Sequence, residues 1–277
     1  MCPLPPFFSD SVSILQSTDV AAATGPRLPA GGAASLPGVQ TAELELGYLA
    51  HSQGSPQPGV VVIPDVWGLS DHYRELARRL AGEGFAALAV NLYRRAKDAK
   101  ISDPGRWIRS LSDPQVLSDV QAGIDLLAAH AVVAGRRVGV TGFCMGGQYA
   151  ILAAAGCRGL AAAVPFYGML SHEHGLLAPG AGESLDPARK PRSPLEAAPS
   201  VRCPLLALFG RDDPFIPLED VRVFERGLEK SGQPHEVVLY EGAGHAFLND
   251  TRPEMYRSDV ARDAWGRMLA WFRRHLG

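Results

Sequence analysis

Gly142-Phe143-Cys144-Met145-Gly146 places a cysteine between two glycines at the junction of a predicted strand and a predicted helix. A largely β-branched run at residues 138–141 precedes this pentapeptide, and an alanine-rich stretch at residues 148–155 follows it. In such a nucleophile elbow the central residue has a strained backbone, and only small residues fit two positions to either side. The pattern predicts that Cys144 stands at the head of a helix, where the partial positive charge favours a thiolate.

Predicted strands and helices alternate along most of the chain. Besides the strand before the elbow, the apolar pattern predicts strands at residues 41–49, 60–64, 85–93, 160–166, 205–209 and 236–240. Helices are predicted at residues 71–82, 116–130, 218–230 and 253–275, and directly after the elbow. Because the strands are nearly continuous apolar runs, the fold class is predicted as α/β, with a mostly parallel central sheet and helices on both faces.

Length and composition indicate one large domain, preceded by an irregular N-terminal segment and interrupted by one long loop. The chain has 277 residues, of which 46% are hydrophobic, enough for a substantial single core. We expect residues 1–39, rich in Pro, Gly, Ala and Ser, to be poorly ordered or draped over a catalytic domain at residues 40–277. Residues 171–200 interrupt the alternation without a clear period, which predicts a rim loop or flap near the ligand-binding edge.

Charge and motif content exclude several classes of partner. The net charge is −2 and no segment is rich in Lys or Arg, so neither a nucleic acid nor an anionic membrane is an expected partner. Walker and dinucleotide fingerprints are absent, and no cofactor is expected. His172 and His174 form an H-x-H pair without a carboxylate or cysteine at ligand spacing, so no metal is expected. The expected partner is a small molecule, bound by a monomer or small homo-oligomer.

Cysteine usage and the N-terminal pattern point to the cytoplasm. Neither a signal peptide nor a membrane helix is predicted. The four cysteines lack the spacing of a disulfide framework, so we expect free thiols in a reducing compartment. They are Cys2, Cys144, Cys157 and Cys203.

An acid and a histidine follow the elbow in the order of a catalytic triad. Asp213 lies in a turn after the predicted strand 205–209, and His245 lies in a glycine-rich loop after the strand 236–240. Nucleophile, acid and histidine occur in this order in α/β-hydrolases. Each residue also has a simpler interpretation: Cys144 as a small buried hydrophobe, Asp213 as a surface Asp-Pro turn and His245 as a solvated loop residue. The combination favours catalysis, with a non-catalytic binding protein of the same fold as the alternative.

These motifs, together with Pro64-Asp65-Val66-Trp67-Gly68 and Asn91-Leu92-Tyr93-Arg94-Arg95, resemble the dienelactone hydrolase family, or carboxymethylenebutenolidases, from about Leu46 to the C-terminus. The resemblance implies an α/β-hydrolase fold that hydrolyses small esters or lactones with a Cys144–His245–Asp213 triad. It also implies an oxyanion hole formed by the backbone N–H groups of Val66 and Met145. The residues expected to tune the thiol or bind substrate are Asp65, Trp67, Tyr93, Arg95, Phe215 and Asn249.

Two positions depart from the family pattern. Members that open dienelactones carry glutamate where this chain has Asp65, and an arginine that helps to hold a substrate carboxylate near the position of Asn249. Arg95 matches the family's other arginine. These departures leave the expectation of a hydrolase standing, and they leave open whether dienelactone itself is its substrate, because only half of the presumed anion clamp is retained. We expect the charge of Asp65 to oppose thiolate formation at Cys144.

A thiol nucleophile constrains the substrate. The expected reaction passes through an acyl-thioester, which His245 then helps water to hydrolyse. Because a thiol has a pKa of about 8.5, the intermediate expels thiolate unless the leaving oxygen is acidic, which favours enol lactones, aryl esters and thioesters. An acyltransferase or thioesterase on the same triad is the alternative within enzymes.

Overall fold

A computed structural model describes the backbone of residues 12–15 and, in full, residues 37–96 and 100–277. Nine strands in these ranges form one sheet. They are β1 (Val12–Leu15), β2 (Val39–Leu44), β3 (Gly47–Ser52), β4 (Gly59–Ile63), β5 (Ala86–Val90), β6 (Val138–Phe143), β7 (Leu160–Phe166), β8 (Leu205–Gly210) and β9 (His235–Tyr240). The α-helices are α1 (Asp71–Gly82), α2 (Pro104–Ser110), α3 (Asp113–Ala129), α4 (Met145–Gly156), α5 (Pro194–Ala197), α6 (Leu218–Ser231) and α7 (Ser258–Leu276).

The sheet is mostly parallel, as predicted. Its strand order is β1-β9-β8-β7-β6-β4-β5-β3-β2. Only β3 runs antiparallel to its neighbours, β2 and β5, while every other described pair is parallel. Every residue of β4, β5, β6 and β8 is buried, which explains their continuous apolar sequences.

Helices cover both faces of this sheet. Helices α1 and α7 lie on one face. Here Arg273 forms an ion pair with Glu83 at 2.7 Å, and the ring centroids of Phe272 and Phe85 lie 6.0 Å apart. Helix α4 packs against β6 and β7 on the other face, beside α3. No helix in the described ranges combines the length and the apolar run that a membrane crossing requires.

The order of strands places two loops side by side. The chain passes from β4 to β5 on one side and then returns to β6 on the other, so β4 and β6 are neighbours, with Ile63 opposite Gly142. Ligands of open α/β sheets bind at such a reversal, outside the carboxyl ends of the strands. The loop after β4 and the elbow after β6 therefore meet at one edge of the sheet.

Some element predictions were wrong. The predicted strand 41–49 is two antiparallel strands, because the chain turns at residues 45–46 and a side chain on Gly47 would collide with the Ala89 carbonyl. The final helix begins at Ser258 instead of residue 253, after the N–H of Arg257 bonds back to the Phe247 carbonyl at 3.0 Å. Helix α2 was missed, although the carboxylate of Asp103 caps it.

The predicted N-terminal segment is described only in part. Val12–Leu15 forms β1, an edge strand parallel to β9, where the sequence pattern predicted no secondary structure. Residues 1–11 and 16–36 lie outside the described residues, and for them the expectation of a poorly ordered or draped segment stays a prediction.

Residues 171–200 are fastened to the domain at their C-terminal end. They contain two short 3-10 turns, Gly175–Leu177 and Ala198–Ser200, and helix α5. Near that end the buried ammonium of Lys190 lies 2.5 Å from the carboxylate of Asp113, at the start of α3. Residues 180–189 are mostly exposed. The flap hypothesis stays a prediction, which this exposed part makes testable.

Candidate active site

Cys144 occupies the elbow between β6 and α4. Its backbone has φ 56° and ψ −116°, a strained conformation for a residue with a side chain. A Cβ on Gly142 would collide with the Gly146 carbonyl, and one on Gly146 would collide with the Ile63 carbonyl. Close backbone approach therefore requires both glycines, as the sequence pattern predicted.

The structure brings the predicted acid and histidine together. His245 Nδ1 lies 2.7 Å from Asp213 Oδ2. The Asp213 side chain is fully buried, and its other oxygen accepts a 2.9 Å hydrogen bond from the Phe215 N–H. His245 Nε2 is buried and makes no hydrogen bond of ordinary geometry with any described residue. The His245 ring also interacts with Cys144. Because Nδ1 is bonded to Asp213, Nε2 is the nitrogen that can exchange a proton with the Cys144 sulfur.

The site favours the protonated form of His245. Burial by itself would lower the pKa of His245, but the charge on Cys144, the hydrogen bond with Asp213, a polar contact with Cys144 and the charge on Asp213 raise it to about 10. The raised pKa favours the imidazolium form of His245 beside the Cys144 sulfur. Because the folded-state pKa exceeds the ordinary value, this protonation stabilises the fold fully below about pH 6.5 and is lost as pH rises through about 10.

Two backbone N–H groups are free at the predicted oxyanion hole. Neither the Val66 nor the Met145 N–H donates a hydrogen bond to a group in the described part of the chain. Tyr93 braces the first of these loops, since its hydroxyl donates to the Val66 carbonyl at 2.8 Å. The loop is held further by a 2.9 Å hydrogen bond from the Trp67 N–H to Asp65 Oδ1.

A cavity of about 180 Å³ opens at the elbow. Of the residues singled out from the sequence, it is lined by Asp65, Val66, Trp67, Cys144, Phe215, His245 and Asn249. The ring of His245 lies between two aromatic side chains, with centroids 5.1 Å from Phe215 and 5.2 Å from Tyr167. The walls are therefore mostly apolar around a small polar centre.

Arg95 is not brought to this cavity. Its guanidinium binds both oxygens of Asp119 on α3, at 2.6 and 2.8 Å, and its side chain is half exposed. Tyr93 also lies outside the cavity wall, behind Val66. Asn249 does line the cavity, but its side-chain oxygen accepts hydrogen bonds from the N–H and hydroxyl of Thr251.

Several lining residues were missed from the sequence, namely Tyr73, Pro104, Tyr167, Leu176, Ala246, Arg252 and Met255. Tyr167 had a signal, because it directly follows β7 at the carboxyl edge of the sheet. Its backbone has φ 36°, strained like that of the nucleophile, and its phenol pKa is raised well above the ordinary value by burial and by the charges of Cys144 and two carboxylates. Arg252 had no such signal, since it lies in an irregular loop before α7.

Asp65 is a carboxylate in an unfavourable environment. Burial raises its pKa, while hydrogen bonds from the Trp67 N–H and the Tyr73 hydroxyl and the charge of Arg252 oppose that shift. The ionised side chain is thus costly at neutral pH, and it shares the cavity with Cys144.

We expect Asp65→Asn to make Cys144 react with iodoacetamide about 3- to 10-fold faster at pH 7, because removing a nearby negative charge favours the thiolate. The melting temperature should rise by about 2 °C at pH 7. Since the folded-state pKa is raised, that gain should vanish at low pH, where Asp65 is protonated in both states. The control is Asp71→Asn, which removes a fully exposed acid. Identical pH profiles of alkylation for wild type and Asp65→Asn would show that Asp65 does not tune the thiol.

The other described thiols are poor nucleophiles. Burial raises the pKa of Cys157 to about 11, with a contribution from the charge of Asp125, and burial raises the pKa of Cys203 to about 12. The structure has Cys144, Cys157 and Cys203 unpaired, and Cys2 lies outside the described residues.

The two histidines of the H-x-H pair, His172 and His174, do not line the cavity at the elbow. His174 Nδ1 lies 3.1 Å from Asp220, while burial lowers the pKa of His172. Within residues 37–96 and 100–277, no cluster of three or more His, Cys, Asp or Glu side chains is placed to hold a metal ion.

We expect replacement of residues 180–186 by a short Gly-Ser linker to change substrate preference more than stability. These residues are mostly exposed, while Leu176, earlier in the same segment, lines the cavity. The ratio of kcat/KM for long and short acyl esters should change several-fold, with a fall in Tm below about 3 °C. A large fall in Tm with an unchanged substrate profile would instead identify a structural brace.

Comparison with known proteins identifies the family of this chain. The sequence profile of the Dienelactone hydrolase family matches residues 46–276. A protein of Escherichia coli strain K12 named "Putative carboxymethylenebutenolidase" is 35% identical over 226 residues, 80% of this chain and 79% of that protein. A protein of Bradyrhizobium named "Probable 2-oxo-3-(5-oxofuran-2-ylidene)propanoate lactonase" is 32% identical, over 84% of this chain and 91% of its own. The crystal structure described as "Putative Dienelactone Hydrolase" from Klebsiella pneumoniae has a TM-score of 0.73 at 32% identity, covering 86% of this chain and 98% of that one.

Proposed function

The chain belongs to the dienelactone hydrolase family, and from this premise we propose that it hydrolyses small lactones and activated esters with Cys144 as nucleophile. The observation that supports the proposal most is the convergence of Cys144, His245 and Asp213, of which the first two line one cavity and the third lies buried behind them. Cys144 stands on a strained elbow, His245 presents Nε2 beside it, and Asp213 holds the opposite nitrogen at 2.7 Å. Nucleophile, base and orienting acid are the parts that acyl transfer requires.

In the proposed acylation, the Cys144 sulfur attacks the carbonyl carbon of the substrate. The negative charge that develops on the carbonyl oxygen is stabilised by the N–H groups of Val66 and Met145, neither of which is engaged within the described chain. His245, with its pKa raised to about 10 by the balance of burial against Cys144 and Asp213, carries the proton that the leaving oxygen takes. The product of this step is an acyl-thioester on Cys144.

In the proposed deacylation, His245 has lost its proton and accepts one from water at Nε2. The resulting hydroxide attacks the thioester carbonyl, and Cys144 leaves as thiolate. Asp213 stabilises the imidazolium that reforms, because its buried carboxylate stays bonded to Nδ1.

The nucleophile favours substrates with acidic leaving groups. A thiolate is a better leaving group than an alkoxide, so enol lactones, aryl esters and thioesters suit the site better than alkyl esters. A cavity of about 180 Å³ fits a small acyl group. We propose the cytoplasm as the compartment, since Cys144, Cys157 and Cys203 form no disulfide with one another and show no disulfide framework in the sequence.

A substrate panel with trapping of the intermediate tests the proposal. 4-Nitrophenyl esters of increasing acyl length, ethyl esters of the same acids and a five-membered enol lactone should separate acyl size from leaving-group acidity. We expect aryl ester and enol lactone turnover to exceed ethyl ester turnover by at least about 100-fold, with an acyl adduct on the Cys144 peptide after rapid acid quench. The absence of both turnover and adduct would contradict the proposal.

Two alternatives give different results in the same assays. An acyltransferase would pass the acyl group to an added alcohol or thiol in preference to water, so the product would be a new ester or thioester. A non-catalytic binding protein would leave Cys144 inert to iodoacetamide at neutral pH, because a thiolate would not be stabilised there.

A further inference from the structure

One histidine of the H-x-H pair lies where residues 171–200 leave the core of the domain. His172 is partly buried, and its Nε2 atom is enclosed without a hydrogen-bond partner in the described part of the chain. Next to it, the Leu170 carbonyl accepts a 3.0 Å hydrogen bond from the Leu195 N–H, which ties the two ends of the segment together. The proposed hydrolysis uses neither histidine of the pair, so the enclosed nitrogen calls for another explanation.

Three charged groups act on the His172 ring. They are Asp113 at the start of α3, Lys190 within the segment and Glu196 on α5. A fourth polar group, the Tyr149 hydroxyl on α4, donates to Asp113 at 2.8 Å. The ring therefore lies near the buried ion pair that fastens the segment to α3.

The acids near the ring do not hydrogen-bond to it. Asp113 Oδ1 is engaged by the Lys190 ammonium at 2.5 Å and by the Tyr149 hydroxyl. Asp113 Oδ2 is enclosed without a partner in the described chain, so it is not bonded to His172 Nε2. Glu196 is exposed, and water screens its charge. A proton on His172 would therefore enclose a second cation near Lys190 without an acceptor for its N–H group.

The neutral form of His172 is favoured while the segment is in place. Burial lowers the pKa of His172 from its ordinary value of 6.5, and the charge of Lys190 lowers it further, against the charges of Asp113 and Glu196. A ring exposed by detachment of the segment would regain the ordinary pKa. Attachment is therefore fully favoured above about pH 6.5 and weakens as the pH falls below that value.

The same segment forms part of the cavity wall. Leu176 lines the cavity beside Cys144, and only the exposed residues 173–175 separate it from His172. The Leu176 carbonyl is held from α2 by Arg109, at 3.1 Å. A detached segment would lose its support at the His172 end, so this part of the wall would move away from the nucleophile.

We propose that His172 is an acid-sensitive latch, whose protonation beside the buried Lys190–Asp113 pair releases residues 171–200 from α3 and widens access to Cys144. The latch is closed at about pH 7.5, and a larger fraction of molecules is open at about pH 5.5. The release does not depend on the proposed hydrolysis, because no residue of the triad takes part in it.

Amide hydrogen exchange measures the release directly. Two N–H groups report on it, since that of Leu195 bonds to the Leu170 carbonyl and that of Asp113 bonds to the Arg189 carbonyl at 2.8 Å. We expect their opening constants, corrected for the intrinsic exchange rate at each pH, to rise about 3- to 10-fold from about pH 7.5 to about pH 5.5. Helix α4 is the internal reference, and its protection should not change.

Variants at the two histidines of the motif separate the latch from a general effect of acid. His172→Gln and His172→Phe both remove the titrating ring, and the rise should be lost in each. His174→Gln is the matched control, because His174 is half exposed and lies 3.1 Å from Asp220 on α6, a contact that protonation strengthens. The His174→Gln protein should keep the whole rise.

Two alkylating agents with one reacting group test whether the release widens the cavity. Iodoacetamide and N-benzyl iodoacetamide both react with the Cys144 thiolate, so the ratio of their rate constants cancels the ionisation of the thiol. In a Cys2→Ser background, we expect the ratio of the bulky to the small agent to rise about 3-fold from about pH 7.5 to about pH 5.5. The ratio should stay constant in His172→Gln.

The outcomes separate the latch from the hydrolase. An equal rise of the opening constants in His172→Gln, or no rise in His174→Gln, would overturn the latch. A rise that depends on His172 with an unchanged alkylation ratio would overturn the widening of the cavity. Failure of Cys144 to react with either agent would contradict the proposed function, while the exchange result would still decide whether His172 releases the segment.

Discussion

Cys144→Ala should lower kcat for a 4-nitrophenyl ester by at least about 10⁴-fold, to a rate close to the background reaction. The reason is that no other described thiol can take over: burial raises the pKa of Cys157 to about 11 and that of Cys203 to about 12. Stopped-flow detection of 4-nitrophenolate with the active protein and the variant measures the loss. Circular dichroism and thermal melting establish that the variant is folded.

His245→Ala should cause nearly the same loss as Cys144→Ala, and the double variant should be no worse than either one. Residues that act as one catalytic unit have effects that do not add. Cys157→Ala and Cys203→Ala are the matched controls, and each should keep kcat within about 2-fold. An equal loss in folded Cys203→Ala would contradict the assignment of Cys144 as nucleophile.

Lys190→Met should have the largest effect on stability, lowering the free energy of unfolding by about 3–5 kcal/mol. The Lys190 side chain is completely buried and lies 2.5 Å from the buried carboxylate of Asp113, with the Tyr149 hydroxyl 3.2 Å away. Removing the ammonium leaves the carboxylate without a counter-charge in an environment where its other oxygen, Oδ2, has no described hydrogen-bond partner. Urea unfolding measures the loss of free energy of unfolding. Thermal melting should show a fall in Tm of about 10 °C.

Two further variants separate the buried charge from local damage. Arg189→Gln removes the neighbouring exposed cation, which pairs with Asp186 at the surface, and should cost less than about 1 kcal/mol. Adding Asp113→Asn to Lys190→Met should recover part of the loss, since the uncompensated charge is then gone. If Lys190→Met destabilised the protein no more than Arg189→Gln, the ion pair would not be what fastens residues 171–200 to the domain.

The stabilising role of Lys190 could not be read from the sequence. The residue lies in a segment without periodicity, and a lysine there is ordinarily a solvated surface residue. Its partner Asp113 is 77 residues away in the chain, at the first turn of α3. Only packing of the two segments against α4 creates the low-dielectric environment that makes this contact strong.

The sequence by itself determined the features that depend on neighbouring residues. The elbow was predictable because its strained turn and the collision of a Gly142 side chain with the Gly146 carbonyl arise within five residues. The parallel sheet was predictable because helix-covered strands must be apolar on both faces. Asp213 and His245 were recognisable because each follows a strand at the edge where parallel strands end.

Only the tertiary structure decided which polar side chains reach the cavity. Arg95 and Arg252 both carry long flexible side chains, and nothing local distinguishes them. Asp119, presented by α3, holds Arg95 outside, while the contact of Asp250 with Arg79 on α1 fixes the loop that carries Arg252. Charges separated by many residues can meet only after the elements between them have packed, so their pairing is a property of the fold and not of any local pattern.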